Sequence, residues 1–350
     1  MTDALKTWAT WREIHCQPRI WRNWASKLDV TGMRAWIAEQ TFDEVWFCGA
    51  GTSAYIGDII AASVKGTRSV PSTDLVANPK QVLSGTRPLV VNFGRSGNSS
   101  ESLGTLDALD ALAPDAPRIN VTCNKSSALA TRGSIGPGKV ILLPDETHDA
   151  GFAMTSSFST MLYTALALFD APSDLPHRLT TLANQLETTL TSFANAVRPD
   201  RAVYVGSGPL AFAAREAALK VMELSAGQIP ALWDSTLGFR HGPKSFVTDN
   251  TAITVFLSPD NPTHGYDIDL SAELRAQFPN AHVQTIGPGG DIDIAMPFGP
   301  AWSAPICTAA AQVRGVIWSQ ELGLNVDDPF AGQSTLSRVV SGVKLYPVQA

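Results

Sequence analysis

The sequence predicts an α/β protein built of two tandem parallel sheets covered by helices, preceded by a helical N-terminal extension. Three observations predict it. Short runs of Val, Ile, Leu and Phe alternate with stretches of helical length, and such unbroken apolar runs mark strands buried on both faces of a parallel sheet. Glycine turns join these runs to the helical stretches, as at Gly49-Ala50-Gly51. The pattern then repeats: Ala202–Gly208 (AVYVGSG) matches Val45–Gly51 (VWFCGAG) 157 residues on, and Ala252–Leu257 (AITVFL) matches Leu89–Gly94 (LVVNFG) 163 residues on. Duplication of one α/β unit accounts for both offsets. A chain of 350 residues is also long for one core.

Residues 1–37 read as helices, with Pro18 opening one whose apolar face is Ile20, Trp21, Trp24 and Leu28. Trp8 and Trp11 give the segment before it a similar edge. So many tryptophans imply that the extension packs onto its own domain or another subunit. Strand, glycine turn and helix come next at VWFC, Gly49–Ser53 and AYIGDIIAASVKG. Further strands start at Pro88 (PLVVNFG), Arg118 (RINVTC) and Lys139 (KVILLP), with helices at Thr155–Phe169 and about Leu179–Ala196. Arg198-Pro199-Asp200 reads as a linker, giving an extension over 1–37 and domains over 38–197 and 198–350.

Composition narrows the function. A net charge of −6 argues against a nucleic-acid partner, which calls for concentrated Lys and Arg. It leaves room for a small phosphate ligand, because backbone N–H groups, hydroxyls and helix N-termini hold phosphates. The four cysteines are scattered without C-x-x-C spacing, which suits a reducing cytoplasm, and the six histidines lack metal-ligand spacing. No stretch is a membrane span, and the charged, tryptophan-bearing start is not a signal peptide.

Chemistry concentrates between Ala214 and Lys244, in a helix ended by Gly227 and the loop after it. Glu216, Lys220 and Glu223 fall at i, i+4 and i+7 on one helical face amid Ala217, Ala218, Leu219, Val221, Met222 and Leu224. One reading is a set of intrahelical ion pairs, Glu216 to Lys220 and Lys220 to Glu223, on a partly solvated face, each worth roughly 0.2–0.5 kcal/mol. The other makes Glu223 a general base in a dry pocket with Lys220 beside it. Downstream, Phe239-Arg240-His241-Gly242-Pro243-Lys244 places an imidazole between two cations, with Pro243 starting a new helix.

An oxyanion site is expected in the first copy. FGRSGNSSES lies directly after a strand and opens a helix, the place where open α/β sheets present ligand loops. Ser96, Ser99 and Ser100 offer hydroxyls, Gly97 lets the backbone approach, and the helix N-terminus adds positive potential. The alternative is that these are turn residues, with Asn98 as the cap. Thr52 and Ser53 supply a second hydroxyl loop after the neighbouring strand. The second copy has Pro209-Leu210 and Pro259-Asp260-Asn261-Pro262 at the matching places, so it lacks both loops. No Walker lysine is present, and a small-molecule monoester phosphate fits better than a dinucleotide.

CGAGTS, SGNSSES, FAMTSSF, EAALKVMEL, GFRHGPK and RVVSGVKLYP together resemble the sugar isomerase (SIS) proteins, and within them the AgaS-type tagatose-6-phosphate ketose/aldose isomerases, also regarded as galactosamine-6-phosphate deaminase/isomerases. The resemblance runs from about residue 40 to the C-terminus. It implies two tandem SIS domains, each a three-layer α/β/α, flavodoxin-like unit, and at least a homodimer with shared active sites. It implies sugar-phosphate binding by Gly51, Thr52, Ser53, Arg95, Ser96, Gly97, Asn98 and Ser99, with Met154 and Thr155 lining the sugar. It implies proton transfer between C1 and C2 by Glu223 beside Lys220, ring opening by His241 from the neighbouring subunit, and no cofactor or metal. Two departures stand out: Gly94 replaces a phosphate-binding serine of the synthase-type loop, and Gly342 replaces a C-terminal catalytic lysine, with Lys344 two residues on. The expected substrate is a 2-amino-2-deoxyhexose 6-phosphate; the alternatives are a plain aldose/ketose isomerase and a sugar-phosphate sensor.

Overall fold

The computed structural model describes residues 2–333 and 336–348. The main elements of the first half are α1 (Ala9–Lys27), α2 (Val30–Ala38), β1 (Glu44–Cys48), α3 (Thr52–Ala61), β2 (Thr67–Ser69), β3 (Pro88–Gly94), α4 (Ser100–Leu112), β4 (Arg118–Thr122), β5 (Gly138–Leu142) and α5 (Ser156–Phe169). The second half contains α6 (Leu175–Phe193), β6 (Arg201–Gly206), α7 (Pro209–Leu224), β7 (Ala231–Ser235), β8 (Thr251–Phe256), α8 (Thr263–Gln277), β9 (His282–Gly287), β10 (Ile292–Asp293) and α9 (Pro300–Glu321).

The strands form two sheets in the orders β2-β1-β3-β4-β5 and β10-β9-β8-β6-β7, paired in parallel throughout. Read from its other edge, the second sheet has the winding of the first. Register is shared too: Val45 lies opposite Leu89 and Ala202 opposite Ala252, which are equivalent positions of the repeat. The glycine turns repeat the same geometry. Gly51 and Gly208 cap α3 and α7 with φ of 56° and 54°, values that disfavour a side chain. A Cβ on Gly49 would lie 2.5 Å from the Ser53 carbonyl carbon, and one on Gly206 would lie 2.7 Å from the Leu210 carbonyl oxygen. The G-x-G is therefore a requirement of strand-to-helix packing in both copies, whatever either one binds.

Burial explains which strands are legible in the sequence. β3 and β4 are buried along their whole length: β3 is apolar but for Asn92, and the polar residues are partnered, Asn92 Nδ2 donating to Asn120 Oδ1 at 2.8 Å and Arg118 Nη1 to Asp110 Oδ1 at 2.5 Å. The strands that the sequence does not announce are β2 (TRS), β7 (ALWDS), β9 (HVQTIG) and β10 (ID), all mixed in polarity. β7 divides the stretch after α7 that reads in the sequence as one loop.

Pro18 does not open a helix; it sits inside α1. Proline there removes the N–H that would serve the carbonyl four residues back. The Gln17 side chain repairs the loss, its Nε2 donating to the Ile14 carbonyl at 3.2 Å and to Gln312 Oε1 at 3.0 Å. The expected apolar face is present, with Ile20, Trp21, Trp24 and Leu28 all buried.

The chain forms two compact units that do not follow linear boundaries. One holds the second sheet, Ala150–Thr155, the chain up to Arg22 and the run from Pro176. The other holds the first sheet, Asn23–Asp149, Ser156–Leu175 and the C-terminal stretch from Leu336. Each sheet lies within one of the domains expected at 38–197 and 198–350, but α6 sorts almost entirely with the second sheet and the C-terminal stretch with the first. In the first-sheet unit the reason is direct: Ser100 N donates to the Val340 carbonyl at 3.2 Å, and Val343 N to Ser100 Oγ at 3.3 Å.

If Gln17 repairs the proline gap, Gln17→Ala should destabilise by about 1–2 kcal/mol in the Pro18 chain and by clearly less in Pro18→Ala, where the restored N–H takes the Ile14 carbonyl. A double-mutant cycle on urea midpoints measures this. Equal costs in the two backgrounds would refute the repair.

Candidate active site

The triad on α7 is an interior feature. Glu216 and Lys220 are completely buried, and the Glu223 side chain is 23% exposed. Lys220 Nζ lies 3.3 Å from Glu216 Oε1 and 2.5 Å from Glu223 Oε2. Apolar packing encloses them: α7 lies against α9 so closely that a Cβ on Gly315 would meet Leu224 Cδ1 at 2.6 Å. Both intrahelical ion pairs expected from the spacing are present, but Glu216 and Lys220 lie in the interior and only Glu223 reaches solvent. Burial alone would lower the Lys220 pKa, but the two carboxylates outweigh it and raise it. Lys220 is thus an ammonium at neutral pH, and Glu223 is the one member of the triad open to a reactant.

The helix stops where Ala226 and Gly227 adopt left-handed φ of 49° and 75°, with Gly227 N donating to the Met222 carbonyl at 2.8 Å. After β7 comes the histidine segment. Gly238–Arg240 is a short 3₁₀ turn, His241 comes directly after it and is exposed, and Pro243 starts the 3₁₀ turn Pro243–Phe246. Two acids of α8 hold this segment, and sequence reasoning missed both. Asp267, fully buried, accepts from Ser207 Oγ at 2.9 Å, Thr236 Oγ1 at 2.5 Å and Ser258 N at 2.8 Å. It thereby ties together the ends of β6, β7 and β8. Glu273 binds Arg240 Nε at 2.7 Å and also Lys244 Nζ, and these bonds, Lys244 first, lower its pKa. Both cations flanking His241 are therefore already paired. The signal for Asp267 was its place on the buried stripe with Leu270 and Leu274, where an acid needs donors.

The first-sheet unit carries the hydroxyl loops. Thr52 and Ser53 are buried in the first turn of α3 behind exposed Gly51. At the end of β3, Gly97 has φ of 63°, and a Cβ there would lie 2.4 Å from Ser127 Oγ, so only glycine fits. Ser99 is the cap of α4, accepting from Ser102 N at 3.2 Å. Asn98 is not the cap: its Oδ1 accepts from Ala128 N at 2.8 Å and pins the turn beyond β4. Ser96 Oγ accepts from Asn98 N at 3.3 Å. Arg95 is buried and donates to the Arg338 carbonyl at 3.0 Å, while the Arg338 guanidinium donates to the Asp149 carbonyl. Burial, and after it the charges of Arg338 and Arg95, lower the pKa of His148.

Gly342, at the synthase-type lysine position, has φ of 75°, so a side chain there would be strained. A side chain at Gly94 would meet Leu129 Cδ1 at 2.8 Å. Met154 and Thr155 belong to the second-sheet unit that holds Glu223, with Met154 half-buried and Thr155 buried. Among the described residues no cluster of His, Cys, Asp and Glu could hold a metal ion, and no helix is long and apolar enough to cross a membrane. Burial pushes the thiols of Cys48, Cys123 and Cys307 up to about 12, which makes them poor nucleophiles.

Removing Lys220 alone should be severe. Lys220→Met leaves Glu216 buried without its ammonium and should cost about 3–5 kcal/mol, most of it recovered when Glu216→Leu is added. Because the Lys220 pKa is raised, its contribution should be complete below the ordinary lysine value of about 10.4 and fade only as pH climbs past that toward the folded value. Denaturant titrations of both variants across pH measure this, and a single variant as stable as the parent would contradict it.

No family model matches the chain. Curated relatives match along its length. D-galactosamine-6-phosphate deaminase AgaS of Escherichia coli is 37% identical, covering 100% of this chain and 99% of that protein. The protein of the same name from Shewanella sp. (strain ANA-3) is 35% identical, covering 97% and 92%. Among solved structures, tagatose-6-phosphate ketose/aldose isomerase from Escherichia coli superposes with a TM-score of 0.85 at 34% identity, over 98% of this chain and 97% of that one. With its duplicated sheets, hydroxyl loops and buried triad in place, the chain belongs to the AgaS family of sugar isomerase (SIS) proteins.

Proposed function

We propose that the protein is a deaminating isomerase that converts a 2-amino-2-deoxyhexose 6-phosphate, D-galactosamine 6-phosphate in first place, and water to a ketose 6-phosphate, tagatose 6-phosphate, and ammonia. The observation that carries this reading is Glu223, a partly exposed carboxylate held 2.5 Å from a buried ammonium, in a chain 37% identical along its length to a galactosamine-6-phosphate deaminase.

In this reading His241 opens the sugar ring, moving a proton from the C1 hydroxyl to the ring oxygen. Glu223 then takes the C2 proton as the C1 oxygen gains one, leaving an enolamine. Returning the proton to C1 gives a C2 imine, and water replaces nitrogen there, releasing ammonia and leaving the ketone. Lys220 fixes the Glu223 carboxylate. The phosphate sits on Ser96, Ser99 and the N-terminal turn of α4, and Thr52, Ser53, Met154 and Thr155 surround the sugar. We place the enzyme in the cytoplasm as a homodimer or larger homo-oligomer. Exposed His241, with apolar Leu237 exposed four residues before it, suits a site completed by a second subunit.

Two substitutions separate the roles. Glu223→Gln should lower kcat by at least about 100-fold at nearly unchanged KM, the scale of general acid/base catalysis. Ser96→Ala should chiefly raise KM, by the roughly 1.5–3 kcal/mol of a hydrogen bond to a charged group. Wild-type turnover in the first, or unaltered KM in the second, removes that residue from its role.

Ammonium release with galactosamine 6-phosphate, glucosamine 6-phosphate, their N-acetyl forms and unphosphorylated galactosamine tests the substrate. It should be fastest for galactosamine 6-phosphate, slow without the phosphate and nil for the N-acetyl sugars. Ketose formation from galactose 6-phosphate with no ammonium from any amino sugar would instead establish a plain isomerase, and binding without turnover a sensor.

A further inference from the structure

A second charged centre lies in the second-sheet unit, and the proposed reaction does not use it. Arg314 of α9 is only 3% exposed. Its Nε donates to the Phe193 carbonyl at 3.3 Å, its Nη1 to Thr254 Oγ1 at 2.9 Å and its Nη2 to Gln284 Oε1. All three acceptors are neutral, and the titratable neighbour that bears on its charge is the buried Tyr204 phenol. Taking a guanidinium out of water costs several kcal/mol unless an opposite charge offsets it. Among the described residues no carboxylate is bonded to it.

The same arginine lines a cavity of about 270 Å³, together with Trp318, Thr254, Gln284, His282 and Asn195. No aspartate or glutamate lines it, in a chain whose net charge is −6. Trp318 adds an independent sign: the residue is 1% exposed, yet its indole N–H has no acceptor among the described residues. Buried donors are rarely left in that state. The cavity is lined by the first residues of β8 and β9, whereas Asp267 binds at the opposite, carboxyl ends of the strands of this sheet, and the lining includes no residue of the histidine segment. It is therefore separate from the histidine segment.

We propose that this cavity is a binding site for a compact oxyanion, a carboxylate or a phosphate, held by Arg314 with Trp318 and His282 as further donors. The planar guanidinium fork matches both anions, and the anion supplies the countercharge that the fold omits.

Selenate is the crystallographic probe and sulfate or acetate the solution probe. Crystals grown without oxyanions and soaked in selenate should show an anomalous peak within hydrogen-bonding distance of the Arg314 guanidinium. In calorimetric titrations, sulfate, acetate or both should bind a site whose dissociation constant rises at least about tenfold in Arg314→Met and measurably in His282→Ala. His282 is exposed, so that variant keeps the test open should Arg314→Met fail to fold. Anion binding at the Ser96 loop is distinguished by its survival in both variants. Absence of selenate density at Arg314, with isotherms for both anions unchanged by the substitutions that fold, would overturn the proposal.

Discussion

The ammonium of Lys220, enclosed between Glu216 and Glu223, is the constraint on which the second-sheet unit depends. A charge at zero exposure survives only if its partners are fixed before water leaves, and an α-helix does that with no long-range search, because i−4 and i+3 lie on the same face. The partners must also stay dry, which requires the rest of the helix to be apolar and a neighbour to close over it. Both conditions are met by the alanines and leucine of α7 and by Gly315, whose missing side chain lets Leu224 approach α9. The geometry leaves one carboxylate edge uncovered, and it belongs to Glu223.

The duplicated sheets show how one topology was fitted to two tasks. Winding, register and the glycine turn are common to both copies, so these belong to the fold. The contrast lies at the strand ends. The first copy presents Ser96 to Ser100 and a left-handed Gly97 around the N-terminus of α4. The second draws the hydroxyls of Ser207 and Thr236 and the Ser258 N–H onto its own carboxylate, Asp267. Donors that already hold an internal anion are not available for an external one, which agrees with the loss of the hydroxyl loops there. Asp267 and Glu273 then hold the two ends of the segment bearing His241.

Much of this was legible because the signals were local. Apolar runs marked β1, β3, β4, β6 and β8, since both faces of those strands are covered, and the i, i+4, i+7 spacing of Glu216, Lys220 and Glu223 anticipated the triad. Failures came where a distant partner overrode a local rule. Pro18 reads as a helix start until Gln17 is seen to serve the Ile14 carbonyl. Asn98 is an acceptable cap by residue type, but the turn at Ala128, thirty residues on, takes its side chain and leaves the cap to Ser99. ALWDS carries no apolar run because every residue of that edge strand is only partly buried. The return of the C-terminal stretch to α4 depends on backbone bonds at Val340 and Val343, which no side-chain pattern encodes.

Lys220, Asp267 and Arg314 are all buried in the second-sheet unit, and the same desolvation cost acts on each. Lys220 is compensated by two carboxylates, so its raised pKa keeps it charged. Asp267 is compensated by three donors that are themselves neutral, an arrangement a carboxylate accepts well because hydroxyl and N–H dipoles converge on its oxygens. Arg314 also has only neutral partners, but its charge spreads over a fork of five N–H groups, of which those acceptors take three. Burial lowers its pKa, whereas for Lys220 the neighbouring carboxylates prevail. A guanidinium remains charged even so. The difference between the two cations is therefore not in how deeply they are buried but in whether the polypeptide carries the countercharge, and at Arg314 the space beside the group is a cavity with no acid in its lining.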